Sequence, residues 1–391
     1  MALDAYMDTI HRCFRCGYCK YPPNFTDLDA CPAYARFRLE SFSAGGRLWL
    51  LRAWMNGELE YSDRLAKVVF SCTACANCAE QCPYRFGEDV LKMMIAGKGE
   101  ILERGLARST VKRFLENMTK YGNPYGEPRD KRADWAGGNG VEAFDGHDWL
   151  LHVGCVASYD PRAGEVARAL AALMKRAEVS VGMLGVDEGC DGNDVATAGE
   201  EGLFEHLARS NVERFESLGV QSILALSPHA YNAFRNDYPR FGGEYRVVHA
   251  SQLLRDLLAA GRLEPANGFE ARVSYHDPCF LGRWNSEYDA PRAVLKAVPG
   301  VELVEMPRKR ANGLCCGGGG GNAFTDLLGG SEDSPARQRV RMARATGADV
   351  LATACPTCLT MLEDAVKTEG FDDELAVRDV SEILAEACGV H

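Results

Sequence analysis

The chain has 391 residues, with 44 basic against 55 acidic side chains and a formal charge of −11, a balance that argues against nucleic acid or an anionic membrane surface as partner. Its length and its 46% hydrophobic content support more than one core. No run approaches the roughly eighteen apolar residues of a membrane span. The best candidate, Trp49 to Met55, contains Arg52, so any membrane link needs a partner.

Met1 to Asp8 carry neither a basic nor an apolar signal region, which points to the cytoplasm, with attachment to the inner membrane face only through a partner. Of sixteen cysteines, eight fall in the first hundred residues as two triplets, each followed by a Cys-Pro. Cys72-x2-Cys75-x2-Cys78-x3-Cys82-Pro83 has the bacterial ferredoxin spacing; Cys13-x2-Cys16-x2-Cys19 reaches Cys31-Pro32 only after eleven residues. Thiolates are soft donors that suit iron, and two intervening residues let three sulfurs converge from one loop. In two-cluster ferredoxins the Cys before Pro serves the other cluster. Cys13, Cys16, Cys19 and Cys82 are therefore expected to hold one cubane 4Fe–4S cluster, and Cys72, Cys75, Cys78 and Cys31 a second. Structural zinc favours separated Cys pairs or Cys with His, and disulfides need an oxidising compartment, so both fit these eight residues less well.

From Ala33 to about Tyr121 apolar residues recur at helical spacing, as in Leu48, Leu51 and Trp54, and in Val90, Leu91, Met94 and Ile95. Residues 1–121 are expected to form an α-helical ferredoxin domain. Residues 122–148, rich in Gly and Pro, read as a linker. Beyond it, short β runs at Trp149–Val153, Ser222–Leu226, Arg272–Tyr275, Val301–Glu305 and Val350–Ala354 alternate with amphipathic stretches such as Glu200–Leu218 and Ala336–Ala345, which predicts parallel α/β units. The pattern repeats: the stretch from Asn211 through Ser227-Pro228 to Ala230 parallels the one from Arg339 through Cys355-Pro356 to Cys358. Two copies of one module, 149–268 and 269–391, are expected to pair about a pseudo-two-fold. The fold class is thus α+β multidomain: a helical ferredoxin domain followed by a pseudo-two-fold pair of α/β domains.

The second copy carries Cys279, Cys315-Cys316 and Cys355-x2-Cys358. Cys279 and Cys355 each follow a strand, so both should reach the same carboxyl edge of a parallel sheet. Gly317 and Gly318 open a five-glycine run whose backbone N–H groups can approach a cluster and bond to its sulfurs. The run lacks the Lys-Ser or Lys-Thr of a phosphate loop and the context of a dinucleotide site. No flavin or nicotinamide site is expected in this chain.

These five cysteines, with His276-Asp-Pro-Cys-Phe-Leu-Gly-Arg283, resemble the Cys-Cys-Gly domain of heterodisulfide reductase, and the whole chain resembles its D-subunit type. The iron–sulfur subunits of glycolate oxidase and of anaerobic glycerol-3-phosphate dehydrogenase share that layout. The resemblance implies a non-cubane 4Fe–4S cluster on Cys279, Cys315, Cys316, Cys355 and Cys358, where disulfide or thiol chemistry occurs. It also implies partner subunits, a flavoprotein of heterodisulfide-reductase type or a membrane cytochrome, and a thiol or disulfide carrier as a possible substrate. The first copy departs from the pattern: Cys155 and Cys190 remain, but Asp191, Ser227 and Ala230 replace the other three ligands. Cys155 and Cys190 are expected to pack as small hydrophobes, with a reduced metal site shared with Asp191 as the alternative.

His276 is a candidate proton donor to a departing thiolate, with a strand-end histidine held by backbone as the alternative. Arg283 reads as steering an anion or as locally paired, and Arg308-Lys309-Arg310 as a solvated loop or as a docking site for an acidic carrier. Together these features describe an oxidoreductase subunit that relays electrons to the Cys279 cluster. Two descriptions stay open: an active site for a disulfide, or a pure relay serving a flavin dehydrogenase or a quinone-linked membrane complex.

Overall fold

The computed structural model describes residues 3–21, 29–84, 86–138 and 141–390. Four longer helices dominate the N-terminal region: α1 (Ala44–Met55), α2 (Asp63–Phe70), α3 (Gly87–Glu103) and α4 (Ser109–Tyr121). Ser43 and Ser62 cap the first two through side chains that accept from Gly46 and Leu65 N–H. Leu48, Leu51, Val69, Phe70, Met93 and Met94 form their shared core, with the cysteine loops at its edge.

Two parallel sheets follow. Strands β1 (Glu142–Ala143), β2 (Trp149–His152), β3 (Val181–Met183), β4 (Ser222–Ala225) and β5 (Arg246–His249) lie in the order β1-β3-β2-β4-β5. Strands β6 (Ala271–Tyr275), β7 (Val301–Leu303), β8 (Val350–Thr353) and β9 (Ala376–Asp379) lie in the order β7-β6-β8-β9. Without β1, the two orders are the same. Strands β2 and β8 are buried throughout, as expected of parallel strands covered on both faces.

The segment 122–148 is more than the linker expected. It contains a 3-10 helix, Arg129–Ala136, that packs against Gly154–Tyr159, and its β1 adds a parallel strand to the first sheet. Gly and Pro mark turns; they do not exclude pairing between them.

The helices that cover the sheets include α5 (Pro161–Arg176), α6 (Glu201–Ser217) and α7 (Ala250–Ala259) in the first unit, and α8 (Asp289–Ala297), α9 (Pro335–Arg344), α10 (Pro356–Glu369) and α11 (Val380–Ala387) in the second. Between units, α5 packs on α11, and α7 packs on α8. Arg162 crosses this seam to Glu363 at 2.8 Å and Glu382 at 2.7 Å.

The helical region meets the first unit where Gly99 of α3 lies against Gly199. A Cβ added at Gly199, whose φ is +92°, would sit 2.5 Å from the Gly99 nitrogen and 2.9 Å from the Ile95 oxygen. Gly199→Ala therefore combines a left-handed backbone penalty with a clash and is expected to destabilise by about 2–4 kcal/mol. Gly219, with φ +68° and nothing within 4 Å of an added Cβ, isolates the backbone part. Thermal unfolding followed by circular dichroism should show a clearly larger loss for Gly199→Ala than for Gly219→Ala; equal losses would remove the contact from the account.

Candidate metal centre

The two N-terminal triplets share one backbone device. Arg15 and Ala74, each just before the middle cysteine, have φ of +59° and +50°, and Gly17 and Ala76, just after it, have +93° and +59°. Left-handed turns on both sides of the middle cysteine swing three thiols toward one point, at about 1–2 kcal/mol for each residue that has a Cβ. Glycine spares that cost at one of the four positions.

Cys13, Cys16, Cys19, Cys78 and Cys82 line one small cavity. Burial pushes the Cys19 thiol up to about 12, and it also raises Cys13 and Cys82, each of which feels Cys16. Cys31, reached across the chain, faces Cys72 and Cys75, and Cys78 faces all three. Arg47, buried in α1, lies 3.9 Å from the Cys31 sulfur and bonds Ser71 at 2.9 Å. Cys82 thus lies with the Cys13 triplet and Cys31 with the Cys72 triplet, while Cys19 also faces Cys31 and Cys78.

Five more thiols gather at the carboxyl edge of the second sheet, all buried. The Cys279 and Cys315 sulfurs are 3.9 Å apart, and those of Cys316 and Cys358 3.4 Å. Cys355 caps α10, its sulfur accepting from Cys358 N–H at 3.4 Å; Pro356 at the first helical turn needs no such partner. Gly317 N–H donates to Cys315 at 3.4 Å, and Gly318 N–H donates to Cys316. The donors are sulfurs throughout, more numerous than a tetrahedral zinc site uses, and they fit an iron–sulfur cluster.

The second and third thiol groups are neighbours: Thr73 Oγ1 lies 3.9 Å from the Cys315 sulfur, and the nearness of Cys315 together with burial raises the Cys75 thiol well above its usual range. Arg283, half-buried, donates to the carbonyls of Cys75 at 2.6 Å and Gly313 at 2.7 Å. It clamps two loops together. Arg308 is likewise buried, donating to the Asp29 and Asn312 carbonyls, so the solvated loop expected there holds only for Lys309 and Arg310.

His276 is fully buried. Its Nδ1 accepts from Arg339 Nε at 3.1 Å, which leaves the proton on Nε2. Burial, then the Arg339 charge, lowers it to about 3. The ring lies within 4.8 Å of Cys316 and Cys358 as a neutral imidazole, held by an arginine side chain instead of backbone.

Three contributors lacked a signal in the sequence. Lys98, fully buried, donates to the carbonyls of Cys72 at 2.7 Å and Thr197 at 2.8 Å, and burial lowers it to about 8. His229 and Asp194 come from the first α/β unit. Their side chains meet at 3.0 Å, and Asp194 also accepts from Gly321 N–H at 3.2 Å. Burial opposes a charge on His229, but Asp194 and the Cys355 sulfur outweigh it and hold the imidazolium. A lysine in an amphipathic helix and a histidine after a strand read as ordinary; only the neighbours mark them. A cleft of about 790 Å³ opens near Cys316, with Asp160, Asp326, Glu332 and Asp364 along it.

A family model described as 4Fe-4S dicluster domain matches residues 9–86, and one described as Cysteine-rich domain matches 149–235 and 273–363. The probable iron-sulfur-binding oxidoreductase FadF of Bacillus subtilis is 37% identical over 82% of this chain and 46% of its own length. The EtfAB:quinone oxidoreductase of Syntrophomonas wolfei is 34% identical over 85% of this chain and 48% of its own. The chain spans about half the length of these two relatives. A crystal structure of a hypothetical protein from Helicobacter pylori superposes with a TM-score of 0.59 at 12% identity, covering 92% of this chain and 71% of that one, a likeness of fold alone. The D subunit of the dihydromethanophenazine:CoB–CoM heterodisulfide reductase of Methanosarcina mazei is 31% identical over 97% of this chain and 94% of its own length. With both domain types in that order and a match along nearly the whole of both chains, the protein belongs to the D-subunit family of heterodisulfide-reductase iron–sulfur proteins.

Proposed function

We propose that the chain is an iron–sulfur electron-transfer subunit of a heterodisulfide-reductase-like oxidoreductase complex. The observation that carries this reading is the close approach of the Cys72–Cys75 loop to the Cys279 group: Thr73 Oγ1 lies 3.9 Å from the Cys315 sulfur, and Arg283 bridges the Cys75 and Gly313 carbonyls. Cys13, Cys16, Cys19 and Cys82 hold one cubane cluster, Cys72, Cys75, Cys78 and Cys31 a second, and Cys279, Cys315, Cys316, Cys355 and Cys358 a non-cubane one. Bound there, these clusters supply one-electron transfer. The protein's part is to bury the sulfurs, to direct Gly317 and Gly318 N–H at them, and to place the Asp194–His229 pair and the His276 Nε2–H beside them, contacts that raise a cluster's reduction potential.

The domains run 1–121, 149–268 and 269–391, the last two related by a pseudo-two-fold. The reciprocal packing of α5 on α11 and α7 on α8 supports that relation, since these are equivalent helices exchanged. The redox partner is a flavoprotein or a membrane cytochrome, and the chain itself is cytoplasmic. A second reading, a pure relay for a flavin dehydrogenase or a quinone-linked complex, draws support from the first α/β unit, where three of five thiols are missing.

Anaerobic iron and acid-labile sulfide analysis should find about twelve irons per chain, four for each of three clusters. About eight would remove the Cys279 cluster. Cys31→Ser should alter the spectrum of the cluster on Cys72, Cys75 and Cys78, because oxygen is a harder donor; a change confined to the Cys13 cluster would overturn the crossed assignment. Thiols added to the oxidised protein distinguish the two readings under electron paramagnetic resonance. A new signal from the Cys279 cluster supports disulfide or thiol chemistry there, whereas an unchanged spectrum with the cluster intact leaves the relay.

A further inference from the structure

Of the thirteen cysteines in the three ligand groups, Cys16 alone is exposed. The surface around it is aromatic. Phe14, Tyr18 and Tyr84 line the same small cavity as Cys16 and are 59%, 40% and 39% exposed. Phe14 and Tyr84 meet edge to face with ring centres 4.9 Å apart. Six large hydrophobic side chains are this exposed among the described residues, and half of them stand here, which makes the patch a concentration and marks it as a contact surface. Electron exchange between proteins falls steeply with distance, so the one exposed ligand is the natural point of exchange with a partner.

The charge here runs against that of the chain. Between His11 and Arg52 the sequence has seven Lys or Arg against three Asp or Glu, on a chain of net charge −11. Two of the three acids are engaged: Glu40 pairs with Lys20 at 2.6 Å, and Asp29 pairs with Arg38. The third, Asp27, lies outside the described residues. Arg12 and Arg15, on the loop that carries Phe14 and Cys16, pair with no carboxylate among the described residues, and Arg15 lies over the Trp49 ring at 4.3 Å. The lining of the cavity holds Arg15 and no carboxylate. Aromatic rings with arginine are the side chains that protein interfaces favour, and two unmatched cations on an otherwise acidic chain select an acidic face opposite them.

We propose that the patch formed by Phe14, Tyr18 and Tyr84, with Arg12 and Arg15, docks an acidic one-electron carrier protein over Cys16. The docking surface stands on these side chains; the electron step rests on the cluster assignment proposed above. In that step the reduced carrier loses one electron and the oxidised cluster on Cys13, Cys16, Cys19 and Cys82 gains it, with no bond made or broken. The size of the patch favours a carrier that comes and goes. Three rings and two cations suit a transient interface below about 1,200 Å², whereas a permanent subunit buries a larger and more apolar surface. The negative charge of the rest of the chain repels an acidic carrier elsewhere, which confines the attraction to this loop.

The test uses the anaerobic holoprotein with two probes, the acidic carrier flavodoxin and the basic carrier cytochrome c. Isothermal titration calorimetry at low ionic strength should show flavodoxin binding about tenfold or more tightly than cytochrome c, an advantage that salt removes. Arg12→Glu should weaken flavodoxin binding about tenfold and flatten its salt dependence. Phe14→Ser should weaken it with the salt dependence kept, since a ring is lost and no charge. Arg209→Glu, an exposed charge reversal on the first α/β unit, should change neither. In stopped flow, reduction of the protein by reduced flavodoxin should slow in the Arg12 and Phe14 variants, while dithionite reduces every variant to the same extent. No binding of flavodoxin, equal affinity in Arg12→Glu, or tighter binding of cytochrome c overturns the acidic carrier, and equal affinity in Phe14→Ser overturns the aromatic surface. Binding to phosphatidylglycerol vesicles that Arg12→Glu abolishes, with no binding of flavodoxin, would give the patch to a membrane and overturn the carrier. Failure of the cluster assignment shows separately, as missing iron or the absence of a dithionite-reducible signal, and leaves the calorimetry readable.

Discussion

The site depends on the close approach of two loops from different domains. A Cβ on Gly319 would lie 2.6 Å from the Thr73 carbonyl oxygen, and one on Gly320 would lie 3.0 Å from the Cys72 oxygen and 2.9 Å from Lys98 Nζ. Any larger residue at either position pushes the ferredoxin loop away from Cys315. The glycine run is therefore first an interface, and its N–H groups near the sulfurs are a second use of the same missing side chains. Burying a loop also buries its carbonyls, and Lys98 and Arg283 satisfy those of Cys72 and Cys75. Lys98 is taken wholly out of water to do so, which is tolerable only beside carbonyl dipoles and a sulfur-rich group that gathers negative charge.

The first α/β unit has lost ligands without losing its fold, because the lost residues also had local duties that other side chains can perform. Cys355 caps its helix through sulfur; Ser227 does the same through oxygen, accepting from His229 N–H at 3.2 Å ahead of Pro228. The helix start survives the change while the soft donor disappears. The same unit sends His229 and Asp194 across to the intact thiol group. A repeat that holds fewer cysteines thus still sets the electrostatics of its neighbour.

The strand runs, the helical spacing of the N-terminal region and the repeat were legible because apolar periodicity is local and parallel strands buried on both faces read as continuous apolar runs. The cysteine spacings were legible for a similar reason, since two intervening residues bring sulfurs together only through a tight turn. The segment 122–148 misled because its turn residues concealed a short edge strand and a packed 3-10 turn carrying Arg132. Arg308 misled because a charged side chain defaults to solvent unless neighbouring loops offer carbonyls, and one of its two, that of Asp29, is 279 positions away in the chain.

By itself the sequence determined the order of the domains, the repeat, and which thiols share a loop, since these follow from spacing and period within one stretch of chain. Tertiary structure alone decided that the Thr73 loop meets Cys315, that Lys98 is buried between three parts of the molecule, that His276 is held neutral by Arg339, and that Arg132 stands beside Cys155. Each of these is a contact between residues with no shared periodicity. Its free energy depends on the burial and charge of neighbours that only packing brings together, and no local pattern records it.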